Sequence, residues 1–265
     1  MSDADDPAQL ARRIVERVGD ARVLVALDND GTLSPIAPRP EDARLASGAS
    51  DAIVALATVA DVVIVSGRGL DDLADRFAGL PVELVAEHGL RHRTTDGTVL
   101  WLVDGLAEGT LERLRTELDE LLPAELRGEG WLVEDKGVTV AVHHRRVADD
   151  ALEPTLTRVR EALDRAATTG GHVQTGKAVL ELRPAGADKG AALRRLVGTR
   201  PDRSVVMVGD DLTDEPALAF AESQGGVGVL VAEDERMSAA SARVADPEAV
   251  VALLDALAAA LRQGR

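Results

Sequence analysis

The feature that most constrains the fold of this chain is a series of short, almost uninterrupted apolar runs separated by stretches with helical spacing. The runs are rich in Val, Leu and Ile and lie at residues 22–27, 61–65, 82–86, 204–208 and 226–231. A strand this apolar is usually buried on both faces, as in a parallel sheet covered by helices on either side. The runs therefore predict an α/β fold built on a parallel sheet.

The pattern changes between residues 103 and 184, where helices and alternating strands are grouped differently. The elements predicted there are a helix at 106–122, two strands within 131–146, a helix at 151–167 and one strand at 172–183. This order is typical of an α+β unit with an antiparallel sheet. We therefore predict a discontinuous core, residues 1–102 and 185–265, with an α+β cap domain, residues 103–184, inserted between two of its elements.

The composition excludes several kinds of partner and chemistry. The chain has 46 acidic and 30 basic residues, a formal net charge of -16, so neither nucleic acid nor an anionic membrane is an expected partner. It contains no Cys, which excludes disulfides and thiolate catalysis and fits a cytoplasmic protein. The acidic N-terminal segment does not look like a signal peptide, and Asp255 interrupts the Ala-rich segment 249–261, so we expect a packing helix there.

Polar residues follow several of the apolar runs, at the point where each predicted strand ends. They are Asp28 and Asp30 after the first run, Ser66 after the second, and Asp210, Asp211 and Asp214 after the fourth. Ligands of open parallel sheets bind at the carboxyl ends of the strands, so these side chains are expected to lie close together. Because side chains alternate along an extended segment, Asp28 and Asp30 can face one spot while Asn29 faces away.

A group of carboxylates at one spot predicts a hard cation, and Mg²⁺ fits best because it needs few protein carboxylates and takes substrate phosphate as a ligand. One carboxylate could then attack phosphorus while the second transfers protons. Ser66 and Lys189 are candidates to hold the phosphoryl oxygens. Each feature also has a structural explanation, as a turn, a helix cap or the solvated start of a helix. Their joint occurrence favours a catalytic site.

Four segments occur in the order of the motifs of the haloacid-dehalogenase-like (HAD) superfamily, whose core is a Rossmannoid parallel sheet. Asp28 to Leu33 (DNDGTL) resembles motif I, Ser66 to Arg68 (SGR) motif II, Lys189 motif III, and Gly209 to Asp211 (GDD) motif IV. The resemblance implies that Asp28 is the nucleophile and Asp30 the acid/base. It also implies that Ser66 and Lys189 bind the phosphate.

The same resemblance implies a magnesium site. Its ligands would be Asp28, the backbone carbonyl of Asp30, and Asp210 of motif IV. Asp211 and Asp214 belong to the same acidic segment and are further candidate ligands. The predicted cofactor is therefore Mg²⁺.

Further segments resemble the trehalose-6-phosphate phosphatase family within this superfamily. They are Leu33 to Ile36 (LSPI), Gly209 to Glu215 (GDDLTDE), His88-Gly89, Glu134 to Gly137, His143 to Arg145, and Gly176-Lys177 followed by Glu181 to Pro184. The resemblance implies Mg²⁺-dependent hydrolysis of trehalose 6-phosphate through an aspartyl-phosphate, with functional coupling to a trehalose-phosphate synthase. The expected substrate-binding residues are Thr32, Gly67, Arg68, His88, Glu134, Lys136, His143, Arg145, Lys177 and Glu181. Asn29 departs from the pattern, because the family usually has an apolar or aromatic residue there.

Charged side chains suit a hydroxyl-rich ligand, since each can make several hydrogen bonds at once. Glu134, Lys136, Lys177 and Glu181 could recognise a sugar in this way, or they could form a solvated face of paired charges. Other functions stay open: a capped phosphatase for sucrose phosphate, mannosyl phosphoglycerate or a trehalose-like pseudosugar phosphate, and a non-catalytic regulatory partner of a synthase. Such a partner would normally have lost a motif I or motif IV carboxylate, whereas Asp28, Asp30 and Asp210 are all present.

Overall fold

A computed structural model describes residues 4–37, 39, 42–128, 130–176 and 178–263 of the chain. The chain forms two compact units, which are described separately. The core unit comprises Met1–Leu102 and Asp188–Arg265, and the inserted unit comprises Val103–Ala187.

The secondary structure alternates strands and helices in the core unit and groups them differently in the inserted unit. The helices are α1 (Pro7–Val18), α2 (Ala49–Ala57), α3 (Leu70–Arg76), α4 (Thr110–Leu121), α5 (Ala124–Gly128), α6 (Asp149–Ala167), α7 (Lys189–Gly198), α8 (Glu215–Ser223) and α9 (Pro247–Gln263). The strands are β1 (Arg22–Leu27), β2 (Asp61–Val65), β3 (Glu83–Ala86), β4 (Arg91–Arg93), β5 (Val99–Trp101), β6 (Leu132–Asp135), β7 (Val140–His143), β8 (Gly171–Gly176), β9 (Val179–Pro184), β10 (Arg203–Gly209), β11 (Val227–Val231) and β12 (Ala242–Val244).

The core unit is built on one mixed sheet with the strand order β12-β11-β10-β1-β2-β3-β4-β5. The strands from β12 to β3 pair in parallel, and β4 and β5 add an antiparallel edge. The parallel part explains the continuous apolar runs, because both of its faces are covered. The predicted α/β class is therefore confirmed.

The two faces of the core sheet are covered by different helices. Along β1, Val23, Val25 and Leu27 point into one apolar cluster, while Leu24 and Ala26 point into another. This alternation is the period of an extended strand. Helices α1, α2 and α9 contribute to the first cluster, and α7 and α8 contribute to the second. The Ala-rich segment lies in α9, whose buried residues pack in the first cluster.

The inserted unit has an antiparallel sheet with the order β6-β7-β9-β8. Val140, Val142, Leu180 and Leu182 share a core with α4 and α6 on one face of it. The cross-strand register aligns Glu134 with Ala141, Ala141 with Glu181, and Glu181 with Gln174. Since paired residues point to the same side, this row lies on the face opposite the helices.

Several elements differ from the predictions. The single strand predicted at 172–183 is wrong, because the segment forms two strands, β8 and β9, that pair antiparallel around a turn containing Ala178 with φ 62°. The short strands β4, β5 and β12 were not predicted, and neither was the 3-10 turn at Leu212–Asp214 that precedes α8. Among the described residues, no helix combines the length and the apolar character needed to cross a membrane.

Candidate active site

Asp28 and Asp210 lie next to each other because they follow two paired strands. Leu27 of β1 is in register with Val208 of β10, and the N-H of Asp28 donates to the Val208 carbonyl at 3.0 Å. The Asp210 carboxylate lies directly against Gly31, where any Cβ would overlap it. Gly31 also has a φ of +85°, which a side chain would disfavour. Glycine is therefore required at this position for the two carboxylates to meet.

Asp28, Asp210 and Asp214 form an acidic cluster in which each side chain offers an oxygen within 4.8 Å of the others. Burial and the charges of its acidic neighbours raise the pKa of Asp28 well above its usual range. Burial, together with the charge of Asp214, raises the pKa of Asp210 to about 6. These carboxylates repel one another when ionised, and a cation would relieve that repulsion. The all-oxygen donor set suits a hard divalent metal ion.

Lys189 is the cation that the structure provides at this cluster. Its Nζ donates to Asp28 Oδ1 at 2.8 Å and to Asp214 Oδ1 at 2.6 Å, and the side chain is buried. Burial opposes the charge of Lys189, but the charges of Asp214 and Asp28 outweigh it and raise its pKa. Helix α7 begins at this residue because Asp188 caps it, accepting the Ala191 N-H at 2.8 Å.

Asp214 also folds the loop that carries Asp210. Its Oδ2 accepts the backbone N-H of Asp210 at 3.1 Å and of Asp211 at 3.0 Å, and its side chain is fully buried. Asp211, a predicted metal ligand, lies outside the acidic cluster. Its exposed carboxylate instead caps the 3-10 turn that follows.

Asp30 is held by Arg68 rather than by the acidic cluster. Arg68 Nε donates to Asp30 Oδ2 and Nη2 donates to Oδ1, each at 2.6 Å. A third bond joins Arg68 Nη1 to Asp72 at 2.8 Å. Although burial would raise the pKa of Asp30, the hydrogen bonds and charge of Arg68 outweigh it and lower that pKa. Asp30 is therefore ionised in this arrangement.

The segment from Ser66 to Arg68 follows β2, which pairs with β1, the strand that ends just before Asp28. Ser66 is buried, and its Oγ accepts the N-H of Arg68 at 3.3 Å. The imidazole of His88 packs against Gly67, where a Cβ would overlap the ring. Thr32, a predicted substrate contact, is fully buried and donates its hydroxyl to Asp210 at 3.3 Å. Its observed contact thus supports the Asp210 side chain.

Asn29 is fully buried and organises the turn after β1. Its backbone carbonyl accepts the N-H of Leu33 at 2.9 Å and of Ser34 at 2.8 Å. Its side-chain oxygen, Oδ1, accepts the Ser34 hydroxyl at 3.3 Å. Within the described part of the chain, its Nδ2 has no acceptor at normal hydrogen-bond geometry, although the amide does favour the ionised form of Asp30. Among the described residues, the side-chain oxygen of Asn29 thus has a partner in Ser34, while the side-chain nitrogen has none at normal geometry.

The predicted residues of the inserted unit fall into two environments. Glu134 pairs with His143 at 2.9 Å, and both side chains are more than a third exposed. Glu181 is buried and accepts hydrogen bonds from Lys136 at 3.1 Å, Thr139 at 3.1 Å and Arg183 at 2.6 Å. Arg145 is exposed, and Lys177 lies outside the described residues.

Comparison with known proteins shows which family this chain belongs to. The sequence model described as trehalose-phosphatase matches residues 26–248, a span that includes the acidic cluster, Asp30, Ser66, Arg68 and Lys189. The chain belongs to the trehalose-phosphatase family. This confirms the resemblance seen in the sequence motifs.

Relatives of the family differ in length. An uncharacterized glycosyl hydrolase of Mycobacterium tuberculosis is 39% identical in an alignment of 283 positions, which covers 99% of this chain and 20% of the relative. The trehalose-6-phosphate phosphatase of Escherichia coli is 30% identical over 246 residues, covering 90% of this chain and 87% of that protein. This chain therefore spans about a fifth of the first relative and most of the second.

The fold of the trehalose-phosphatase family is also found among solved structures. The C-terminal domain of trehalose-6-phosphate phosphatase from C. albicans matches with a TM-score of 0.76 at 23% identity, covering 97% of this chain and 99% of that domain. At this identity the match shows the fold alone. Together with the strand order, it confirms the predicted α/β fold.

Sequence reasoning missed three features of the site. These are the Arg68 pair with Asp30, the role of Asp214 in folding its own loop, and the contacts of Glu87 with the segment after β2. No local sequence signal marks Glu87, because its role depends on a left-handed turn that the sequence does not reveal.

Proposed function

We propose that this chain is a Mg²⁺-dependent phosphatase that hydrolyses trehalose 6-phosphate to trehalose and phosphate. The observation that carries the proposal is the position of Asp28. It stands buried at the end of β1, 2.8 Å from Lys189 and within one acidic cluster with Asp210 and Asp214. Family membership supports the same reaction, and the E. coli relative is named for it.

Asp28 would act as the nucleophile. The Asp28 oxygen that does not accept from Lys189 attacks the phosphorus atom, the bond from phosphorus to the sugar oxygen breaks, and that oxygen leaves with a proton from Asp30. Asp30 then removes a proton from water, which attacks the phosphorus of the aspartyl-phosphate and restores Asp28. Lys189 holds Asp28 and stabilises negative charge as it shifts among the oxygens. Ser66 would hold a phosphoryl oxygen through its hydroxyl.

Asp28, Asp210 and the backbone carbonyl of Asp30 would hold the magnesium ion. When bound, Mg²⁺ would neutralise these carboxylates and draw charge from the phosphoryl group. The raised pKa values of Asp28 and Asp210 are consistent with this assignment, because burial, together with repulsion from neighbouring carboxylates, disfavours their charged forms until a cation binds. Asp214 would contribute indirectly, since Lys189 and two backbone N-H groups already occupy its oxygens.

Asp30 must exchange its partner before it can act as an acid. Both of its oxygens accept bonds from Arg68 at 2.6 Å, and a carboxylate held in this way is a poor proton donor. We propose that the substrate phosphate competes for Arg68, and that Asp30, once released, takes up a proton from solvent, which it then gives to the leaving sugar oxygen. Arg68 would then be a substrate contact, with Gly67 allowing close approach and His88 packed behind it.

The inserted unit would supply sugar specificity as a cap. Its sheet carries Glu134 and Glu181 in one row on the face opposite its helices, and Lys136 donates to Glu181 at 3.1 Å. Half-exposed Glu134 and His143 are the best placed to exchange their mutual bond for sugar hydroxyls. Arg145 and Lys177 stay predicted contacts. Because the substrate is a phosphorylated disaccharide, we also propose functional coupling to the trehalose-phosphate synthase that forms it.

The test is phosphate release from purified protein given trehalose 6-phosphate, sucrose 6-phosphate, mannosyl phosphoglycerate or 4-nitrophenyl phosphate, with and without Mg²⁺. We expect trehalose 6-phosphate to give a kcat/KM at least about tenfold above the other sugar phosphates, and only with Mg²⁺. The Asp28→Asn protein, checked for intact folding, should be inactive on every ester. A preference for another sugar would refute the substrate, and inactivity of wild-type protein on all esters would favour the non-catalytic partner.

A further inference from the structure

Glu87 occupies an unusual position directly after β3. It is fully buried, and it and His88 have φ values of 46° and 55°, which place two consecutive residues with side chains in the left-handed region. Such a backbone is strained and persists only where its surroundings hold it. The contacts of the Glu87 side chain show which parts of the structure this turn connects.

The carboxylate of Glu87 joins two separate parts of the core unit. Its Oε1 accepts the backbone N-H of Leu70 at 2.7 Å, the first residue of α3. Arg91 of β4 donates to the same carboxylate through Nη2 at 2.7 Å and Nε at 3.1 Å. The Arg91 guanidinium also lies 5.8 Å from the ring centre of Trp101 on β5. Glu87 therefore ties the start of α3 to the antiparallel edge of the sheet.

The backbone of the same turn holds the segment from Ser66 to Arg68. The N-H of Glu87 donates to the Arg68 carbonyl at 3.0 Å, and the N-H of His88 donates to the Ser66 carbonyl at 2.9 Å. Helix α3 has no side-chain cap of its own because Gly69 precedes it, so Glu87 supplies the acceptor that the helix start lacks. Three successive parts of the loop, at Ser66, Arg68 and Leu70, are thus fixed from one turn.

We propose that Glu87 is a positioning residue that sets the segment Ser66 to Arg68 for binding the phosphoryl group of the substrate. The inference rests on the proposed function, in which that segment contacts the phosphate. Glu87 itself does not touch the reacting atoms in this account. It acts through the loop, because a carboxylate that anchors both Leu70 and Arg91 prevents the turn and the loop from moving apart.

The same strand offers a matched control. Glu83 begins β3, whereas Glu87 follows its last residue, and both are acidic side chains with little exposure and an Arg partner. Glu83 pairs with Arg200 at 2.8 Å and with His92 at 2.6 Å, away from the loop that follows β2. Replacing Glu83 therefore removes a comparable ionic contact without disturbing the segment Ser66 to Arg68.

The experiment compares Glu87→Ala, Glu87→Gln and Glu83→Ala for melting temperature, for kcat and KM on 4-nitrophenyl phosphate, and for inhibition by inorganic phosphate. We expect Glu87→Ala to lose about 10- to 100-fold in kcat/KM and to bind phosphate more weakly. Glu87→Gln should recover part of this loss, because its amide oxygen can still accept the Leu70 N-H. Glu83→Ala should keep both values within about twofold even if it melts at a lower temperature.

Two results would overturn the inference: Glu87→Gln and folded Glu87→Ala both matching wild type, or Glu83→Ala losing as much activity as Glu87→Ala. A folding failure of Glu87→Ala leaves the Gln variant, which must then show weaker phosphate inhibition than wild type. If wild-type protein hydrolyses no ester, the proposed function fails by itself. The positioning role is then tested by the rise in melting temperature that inorganic phosphate causes in the Mg²⁺-loaded protein, which Glu87→Gln should reduce and Glu83→Ala should not.

Discussion

At the scale of single residues, the acidic cluster holds more negative charge than its protein partners neutralise. Asp28, Asp210 and Asp214 lie within reach of one ion, and Lys189 supplies one positive charge to Asp28 and Asp214. Burial and mutual repulsion keep the pKa of Asp210 at about 6 in the metal-free protein. A divalent ion would supply the missing charge, so proton and metal compete for the same oxygens.

This competition predicts how Mg²⁺ stabilises the protein at different pH values. The folded pKa of Asp210 is raised above its unfolded value, so the metal-free protein loses free energy of unfolding as pH rises through the window from 3.8 to about 6. Mg²⁺ removes that loss only where the carboxylates are ionised. We therefore expect Mg²⁺ to raise the melting temperature more at about pH 7.5 than at about pH 5.

The measurement is thermal unfolding with and without Mg²⁺ at the two pH values. Asp210→Asn is the control, and it should show a much smaller Mg²⁺ effect at either pH. An Mg²⁺ effect that is equal or larger at the lower pH would show that these carboxylates do not hold the ion.

At the scale of elements, the sequence predicted the parts whose signals are local. The apolar runs of β1, β2 and β10 predict a buried parallel sheet. The carboxylates that follow β1 and β10 lie next to each other because those strands pair. The hairpin of β8 and β9 was predicted as one strand, because Gly176, the last residue of β8, is the one turn-forming residue type at the turn and no Pro, Asn or Asp accompanies it. The bond between Arg68 and Asp30 joins residues 38 positions apart, which no local pattern encodes.

Under the proposed function, two glutamates in one row of the inserted unit's sheet have different roles, one in sugar recognition and one in stability. Glu181 is buried and accepts hydrogen bonds from Lys136, Thr139 and Arg183. Glu181→Ala would leave the charged partners unpaired, so we expect it to lower the free energy of unfolding of the unit by about 3 kcal/mol. Glu134 is more exposed and has His143 as its partner at 2.9 Å. We expect Glu134→Gln to keep the melting temperature but to lower kcat/KM on trehalose 6-phosphate about tenfold.

Hydrolysis of 4-nitrophenyl phosphate is the control for this pair of variants, because that ester has no sugar. Glu134→Gln should leave it unchanged. An equal loss on both esters would mean that Glu134 serves the chemistry or the fold, and an unchanged rate on both would make it part of a solvated face.

At the scale of the whole molecule, the proposed function requires a chain with a formal charge of -16 to bind an anion. A protein this acidic repels a sugar phosphate at long range, so binding depends on cations placed at one spot. The core unit gathers Lys189 and Arg68 at the carboxyl ends of its strands, where a metal ion would add to them. Catalysis and sugar recognition are thus assigned to two units that the chain order interleaves.

The central claim is that Asp28 carries the phosphoryl group during turnover. An aryl phosphate needs little help from an acid to leave, so Asp30→Asn should still form the aspartyl-phosphate but hydrolyse it slowly. We expect acid-quenched Asp30→Asn protein, mixed with Mg²⁺ and 4-nitrophenyl phosphate, to carry one added phosphoryl group on the peptide that contains Asp28. Asp28→Asn should carry none. A phosphoryl group on any other peptide, or release of 4-nitrophenol at the wild-type rate by Asp28→Asn, would contradict the account.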